Sequence, residues 1–515
     1  MHMRGILPLF ALAIPTLILA AGPAQWRERS IYQLLTDRFA LPDGNTTSAC
    51  DTSKATYCGG TWSGIERQLD YIQDMGFDAI WISPVTKNIE QSTEYGEAYH
   101  GYWQQDIYAV NPRFGTAGDL KALAEALHLR GMYLMVDIVV NHNAWPGPPE
   151  AVDFSALNPF NRPSDYHLPY CAVDYSDLTD NKRVTDCWMG DRVVSLPDLK
   201  TGDQRVQDEY GRWISELVSN YSIDGLRLDT VLQVEKSFWR EFTKAAAGIY
   251  MVGEAFSPDS RIVCDYENYL PGAMNYPLEV GAVVAKSERN ADLGSSTARY
   301  FPLVNAFSKP TNDISELARS IEDMSRTCAD TSLLGSFSEN HDNPRFPSKN
   351  GDIALAKNVI TFTMLTDGIP IIYQGQEQHY RSLGGEDNPY NREALWLSGY
   401  DQNHELYKLI TLLNRVRKHA MREDSTFLTT RAKVVHKSVQ TIAIEKGGLL
   451  LVLSNGGSQS AKYNRSIQSR FPVGARLTDI LTCQTQMVGR NGSLDVTLEA
   501  GQPRVYYSST GKEGL

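Results

Sequence analysis

Four short stretches of this chain end in side chains that can carry a charge or a proton. They are Asp137-Ile-Val-Val-Asn-His142, Gly225-Leu-Arg-Leu-Asp229, Gly253-Glu254 and Glu339-Asn-His-Asp342. In the second, Leu226 and Leu228 alternate with Arg227 and Asp229, so a short strand points the charged pair one way. An arginine two residues before an aspartate on one strand face favours the ionised carboxylate, so Asp229 is expected to stay charged. Glu254, pressed between like charges, is expected to hold its proton. One ionised and one protonated carboxyl are what cleavage of a glycosidic bond by attack and proton donation requires. Asp342 would be the third acid, offsetting positive charge on the sugar ring. One such stretch alone is more often a salt-bridged strand end; four converging on one mouth argue for a site.

The elements that must position these groups alternate along the chain. Ile31–Thr36, Ala79–Ser83, Met132–Val140, the Asp224 stretch, Ile249–Gly253, Leu333–Phe337 and Ile369–Tyr373 read as strands. Their near-continuous apolar runs suit parallel strands buried on both faces. Between them lie helical patterns, among them Val206, Tyr210, Trp213, Ile214, Leu217 and Val218 on one face. A capping box is read at Ser63-Gly-Ile-Glu66, opening a helix that ends at Gly76. This is the rhythm of an α/β fold, a (β/α)8 TIM barrel, whose chemistry sits at the C-terminal strand ends. The rhythm fails between 142 and 198, a stretch rich in Pro, Asn and Asp, which reads as a small irregular domain inserted after strand 3. After about residue 425 the helices stop, and an antiparallel β domain is expected. The predicted division is residues 1–20 as a leader, 21–141 and 199–425 as barrel, 142–198 as insert and 426–515 as C-terminal β-sandwich.

Composition excludes several classes of partner. The chain of 515 residues has a formal net charge of -12 and no basic run, which argues against nucleic acid and suits an uncharged polymer. Arg4 followed by a mostly apolar run to Ala20 reads as a secretory signal, too short and proline-interrupted to span a membrane. Seven cysteines in an exported chain suggest disulfides, with Cys50–Cys58, Cys171–Cys187 and Cys264–Cys328 as the expected pairs and Cys483 left over. Sequons at Asn45, Asn220, Asn464 and Asn491 are consistent with that route.

Taken in order, the four stretches resemble the motif regions of the α-amylase family of glycoside hydrolases (family 13). Longer runs are similar to its secreted fungal members: Tyr32-Gln-Leu-Leu-Thr-Asp-Arg-Phe39, Ala98-Tyr-His-Gly-Tyr-Trp-Gln-Gln-Asp-Ile107 and Val194-Ser-Leu-Pro-Asp-Leu199. The resemblance implies retaining hydrolysis of internal α-1,4 links in starch and related α-glucans by a secreted enzyme, taken as a monomer. It implies Asp229 as nucleophile, Glu254 as acid/base and Asp342 as stabiliser. It further implies sugar contacts from His100, Tyr102, Trp103, His142, Arg227, Gln233, His341, Asp387 and Arg392. A calcium ion between barrel and insert is also implied, held by the side chains of Asn141 and Asp198 and the carbonyls of Thr185 and Gln233. Three features depart from the family pattern. Leu232 and Gln233 stand where fungal members carry Lys and His, and an extra run, Glu279 to Arg299, reads as a surface excursion. Cys483 has no partner near the C-terminus. Two alternatives stay open: a 4-α-glucanotransferase using the same intermediate, and a non-catalytic carbohydrate-binding protein, against which the three retained acids count.

Overall fold

Apolar runs flanked by amphipathic helices close into a ring of eight parallel strands. The computed structural model describes residues 21–174, 181–279 and 302–508. In chain order the strands are β1 (Ile31–Gln33), β2 (Ala79–Ile82), β3 (Tyr133–Ile138), β4 (Gly225–Leu228), β5 (Tyr250–Gly253), β6 (Gly272–Ala273), β7 (Gly335–Ser336) and β8 (Ile369–Tyr373). Neighbours pair in parallel from β1 through β6, and β7 pairs with β8. β8 returns to β1 with Ile371 opposite Ile31, and a parallel bridge from Met274 to Gly335 joins β6 to β7. Every residue of β1, β2, β4, β5 and β8 is buried, the pattern of strands covered on both faces.

The outer helices follow local signals. Gln204–Tyr221 starts where the Asp203 carboxylate accepts the Arg205 N–H, and it buries Val206, Tyr210, Trp213, Ile214 and Leu217. Ala117–Leu129 carries a reciprocal capping box between Thr116 and Asp119. The box expected at Ser63 and Glu66 does not form. Thr61 is the cap instead: its extended backbone lets its hydroxyl accept the Gly64 N–H, whereas Ser63 already lies inside the helix Trp62–Arg67. Gly76 then closes the following turn, Leu69–Asp74, with φ +88°.

After β3 the chain leaves the barrel and forms mostly short 3₁₀ turns, the helix Asn181–Asp186 and the two-residue strands Met189–Gly190 and Ser195–Leu196. The Cys171–Cys187 disulfide staples this stretch, and a bridge between His142 and Asp198 brings its two ends together at the barrel mouth. Cys50–Cys58 and Cys264–Cys328 form as expected, while Cys483 is unpaired and exposed.

Beyond the last barrel helix, Glu405–Glu423, the chain is all β. Its strands are β9 (Lys433–Lys437), β10 (Thr441–Lys446), β11 (Leu449–Ser454), β12 (Tyr463–Gln468), β13 (Arg476–Asp479), β14 (Gln484–Met487), β15 (Ser493–Leu498) and β16 (Arg504–Ser508). A six-stranded sheet in the order β9-β10-β11-β16-β13-β14 faces the β12–β15 pair. Leu450, Val452, Leu477 and Tyr506 from the larger sheet pack with Ile467, Leu494, Val496 and Leu498 from the smaller. The leader, nearly all of the extra run after Glu279 and the last seven residues lie outside the described residues.

Candidate active site

The pairing register assembles the charged centre. Asp137 on β3 is opposite Arg227 on β4, and Leu228 is opposite Gly253 on β5, so Asp229 and Glu254 emerge side by side. Arg227 is buried, with the Trp81 ring 5.4 Å from its guanidinium carbon. Its Nη1 donates to Asp137 Oδ1 (3.0 Å) and Asp229 Oδ1 (2.7 Å), and its Nη2 contacts Glu254 Oε1 at 2.7 Å. One guanidinium therefore serves three carboxylates, too few positive charges for all to ionise freely.

The consequence differs from acid to acid. Burial pushes Glu254 up to about 8, with Asp229 and Asp342 adding to it and Arg227 opposing. Asp229 was expected to be held charged by Arg227, yet it is pushed up to about 6. Burial outweighs the guanidinium, and Asp137 and Asp342 add to the rise. Burial raises both acids but leaves Glu254 above Asp229, the order that the expected division of roles requires. Asp342 goes the other way: burial would raise it, but His341, Arg392 and Arg227 together hold it below its ordinary value.

The two catalytic-type carboxyls are held asymmetrically. Glu254 Oε1 accepts from Arg227 and from the Tyr276 hydroxyl (3.0 Å), whereas among the described residues Oε2 accepts only the Thr230 N–H (3.0 Å). Oε2 is thus the oxygen with room for the acid proton. Asp229 Oδ1 is engaged by Arg227, leaving Oδ2 free to attack.

Around these acids the predicted sugar-contacting residues come together, with two exceptions. The Tyr102 hydroxyl donates to Asp137 Oδ2 (2.7 Å) and lies 2.8 Å from His341 Nε2, the two rings stacked at 5.3 Å. Gln33 Nε2 donates to His341 Nδ1 (2.8 Å), which assigns the ring proton to Nε2. His100 Nδ1 accepts the Tyr102 N–H, and the edge of Trp103 meets the His100 ring at 4.7 Å. His142 Nε2 lies 3.2 Å from the Tyr102 carbonyl. Burial lowers His142 to about 4 and His341 to about 3, so both present neutral imidazoles. Arg392 spans the mouth, donating Nε to the His341 carbonyl (2.9 Å) and Nη2 to Asp342 Oδ1 (3.1 Å). Asp387 sits exposed on the loop whose Asn388 accepts from the Tyr99 hydroxyl, and Gln233 is buried in the turn Val231–Gln233, its N–H donating to the Thr230 carbonyl.

At the junction with the insert, Asn141 and Asp198 are both buried. Asp198 Oδ2 lies 2.7 Å from His167 Nδ1, while its Oδ1 has no hydrogen-bond partner among the described residues. Burial, then Glu235 and Asp186, drive this carboxyl well above its ordinary value. A buried acid with an orphaned oxygen and two acidic neighbours is a site short of a cation, which fits a hard divalent ion. The helix Asn181–Asp186, carrying Thr185, packs against the turn Val231–Gln233, so both carbonyl donors belong to adjoining elements. Beside that turn opens a cavity of about 870 Å3 lined by Leu232, Thr185, Asp186, Glu235 and Tyr266 among others.

Several contributors are not singled out by sequence reasoning. Asp137 stands at the head of a motif stretch, but its tie to Arg227 and Tyr102 needs the register. Gln33 ends a strand without charge, and Tyr276 lies in an ordinary Asn-Tyr-Pro run. The grouping of His167, Asp186 and Glu235 follows no spacing at all.

Comparison with known proteins agrees with this geometry. Residues 33–394 match the alpha amylase catalytic domain, and residues 434–515 match alpha-amylase domain C. The chain is 46% identical to alpha-amylase 2 of Schwanniomyces occidentalis over 95% of this chain and 91% of that protein. It is 43% identical to the alpha-amylase of Saccharomycopsis fibuligera over 94% and 92%. A solved alpha-amylase from Malbranchea cinnamomea superposes with a TM-score of 0.87 at 46% identity, covering 95% of this chain and 98% of that one. With both family domains matched in order and four-tenths or more of the residues shared along nearly the whole length, the chain belongs to the α-amylase family of glycoside hydrolases.

Proposed function

We propose that this chain cleaves internal α-1,4-glucosidic bonds of starch, glycogen and maltooligosaccharides with retention of configuration. Glu254 gives its Oε2 proton to the glycosidic oxygen as that bond to the anomeric carbon breaks. Asp229 Oδ2 attacks the same carbon from the opposite face and forms a covalent glycosyl ester. Water then displaces Asp229, and Glu254, now ionised, takes the water's proton. Asp342, paired with the Arg392 guanidinium, faces the positive charge that develops on the ring in both steps. The single observation that supports this assignment is the placing of two buried carboxyls, Asp229 and Glu254, on one guanidinium at 2.7 Å each, with burial pushing Glu254 higher than Asp229. Both are bound to Arg227 at 2.7 Å, one through each terminal nitrogen, and a retaining enzyme needs such a close pair.

Neutral His100, His142 and His341 and the Tyr102 ring line the glycone side in this reading, with Trp103, Arg392 and the looped Asp387 further out. Asn141 and Asp198, with the carbonyls of Thr185 and Gln233, would hold a calcium ion. That ion supplies the positive charge that Asp198 lacks and fastens the insert to the barrel. We assign 21–141 and 199–425 to the barrel, 142–198 to the insert and 426–515 to the β-sandwich. Export of a monomer through a cleaved leader fits the three disulfides. Among the described residues no helix is long and apolar enough to cross a membrane. The test is proton NMR of freshly released reducing ends: the α anomer is expected first, and the β anomer refutes retention.

Transfer to a sugar acceptor is the second reading, favoured by one observation. Leu232, in the cavity wall beyond the nucleophile strand, offers no hydrogen bond to either a leaving or an incoming sugar. Products longer than the maltooligosaccharide supplied would favour transfer over hydrolysis.

A further inference from the structure

The junction between insert and barrel holds a second group of ligand-type atoms beside the calcium set. His167 and Asp186 come from the insert and Glu235 from the barrel, just past the turn Val231–Gln233. One ligand atom from each lies within 4.8 Å of the others. His167 Nε2 is 3.8 Å from Asp186 Oδ1 and 4.0 Å from Glu235 Oε1. Both separations are too long for hydrogen bonds, so the imidazole does not satisfy the carboxylates directly. Around a tetrahedral ion with bonds of ~2.0–2.1 Å, neighbouring ligand atoms stand roughly 3.4 Å apart, a modest contraction from what is seen.

The rest of the group is already oriented for an ion. His167 Nδ1 is 2.7 Å from Asp198 Oδ2, the carboxylate–imidazole pairing that fixes the tautomer and turns Nε2 outward as a ligand. Glu235 is held through its other oxygen, Oε2, by the Thr201 hydroxyl, which leaves Oε1 for the centre. Thr185 Oγ1 donates to Asp186 Oδ1 at 3.0 Å. All three ligand residues are half-buried, and Asp186 and Glu235 line the open cavity, so an ion can enter from solvent.

The geometry points to a second divalent-cation site, made by His167, Asp186 and Glu235 and suited to zinc or a similar borderline metal. It is separate from the calcium set of Asn141, Asp198, Thr185 and Gln233, and Asp198 couples the two by orienting the imidazole of one while ligating the other. One imidazole nitrogen with two carboxylate oxygens and an open position favours zinc, whereas all-oxygen sets favour calcium. An ion there ties the insert to the turn carrying Leu232 and Gln233, and so stiffens the wall of the cleft.

The test uses the full folded protein, stripped with chelator and then saturated with millimolar calcium. Zinc affinity is read by competition with a chromophoric chelator, bound metals by elemental analysis and ligands by X-ray absorption of the zinc-loaded protein. The expected result is one zinc per chain with calcium retained, one imidazole nitrogen in the zinc shell, and a rise in melting temperature with zinc. His167→Gln and, separately, Glu235→Gln should each weaken zinc at least about tenfold with calcium content unchanged. Zinc that displaces calcium one for one, or whose affinity ignores both substitutions in folded variants, overturns the proposal. So does a zinc shell without imidazole in the unaltered protein, a reading that needs no variant to fold. No zinc uptake at 100 µM free metal also overturns it.

Discussion

Removing one hydroxyl should move the alkaline limb of activity without disturbing the acid itself. Tyr276 donates its O–H to Glu254 Oε1 at 3.0 Å, and its ring is fixed by Phe256 and Phe337 at 4.6 and 5.2 Å. Tyr276→Phe keeps that packing and deletes only the donor, at the further cost of one long contact (3.3 Å) from Asn340 Nδ2. A hydrogen bond to a carboxylate contributes roughly 1.5–3 kcal/mol, and one to the neutral acid roughly 0.5–1.5. The ionised form therefore loses more, by about 1–1.5 kcal/mol, which at 1.36 kcal/mol per unit is about one pKa unit upward. Glu254 is already raised to about 8, and its proton must be present for leaving-group departure. The descending limb of kcat/KM on soluble starch should then shift toward alkali by about one pH unit, with the acidic limb, set by Asp229, in place. Maltotriosyl fluoride, whose leaving group needs no proton, should be cleaved at a nearly unchanged rate. A folded variant whose alkaline limb stays put, or that loses the fluoride reaction as severely as the starch reaction, refutes the argument.

Asp229→Asn and Asp342→Asn should each leave a folded protein with kcat down by several orders of magnitude, because each supplies charge only as the transition state forms; circular dichroism and starch assays check this. Chelation should lower the melting temperature, and Asp198→Ala should do so even in excess calcium, since an ion bound only by the native state adds stability; identical melting curves would remove calcium from the account. The double change Leu232→Lys, Gln233→His should restore donors beside the leaving sugars, raise kcat/KM on maltopentaose about tenfold or more and shift its cleavage frame. Unchanged product patterns would show that these positions do not meet substrate.

Much of the barrel was legible because each strand announces itself locally. Seven of the eight strands show as apolar runs, and the eighth, Gly272–Ala273, does not because two small residues carry no pattern. In the C-terminal domain β10, β11 and β16 were readable, while β9 has no fully buried residue and β14 is mostly polar and exposed, so alternation there has little to bury. The acids were legible for the same local reason, each following an apolar strand. Their ionisation was not: Asp229 rises because the closed ring buries it and brings Asp137 and Asp342 near, terms that no neighbour in sequence reveals. His167, Asp186 and Glu235 meet only through tertiary packing, so no spacing could have flagged them.

The Cys264–Cys328 bond makes one segment of this enzyme a covalent ring. It joins the helix Ser260–Asp265 to the residue after the helix Ser315–Thr327, and every residue between, the extra run after Glu279 included, lies inside the loop. Closure cost grows only as the logarithm of loop length, so shortening that ring by about a third changes it by less than ~0.6 kcal/mol. Insertions of this size are thus thermodynamically cheap at this place. A protease cut within the run would leave two chains still joined on either side of β6 and β7, the barrel seam. Such a nicked enzyme would migrate as one species until reduced and separate into two only then, which makes this loop a place where the sequence can lengthen, or the backbone break, without releasing either half of the catalytic ring.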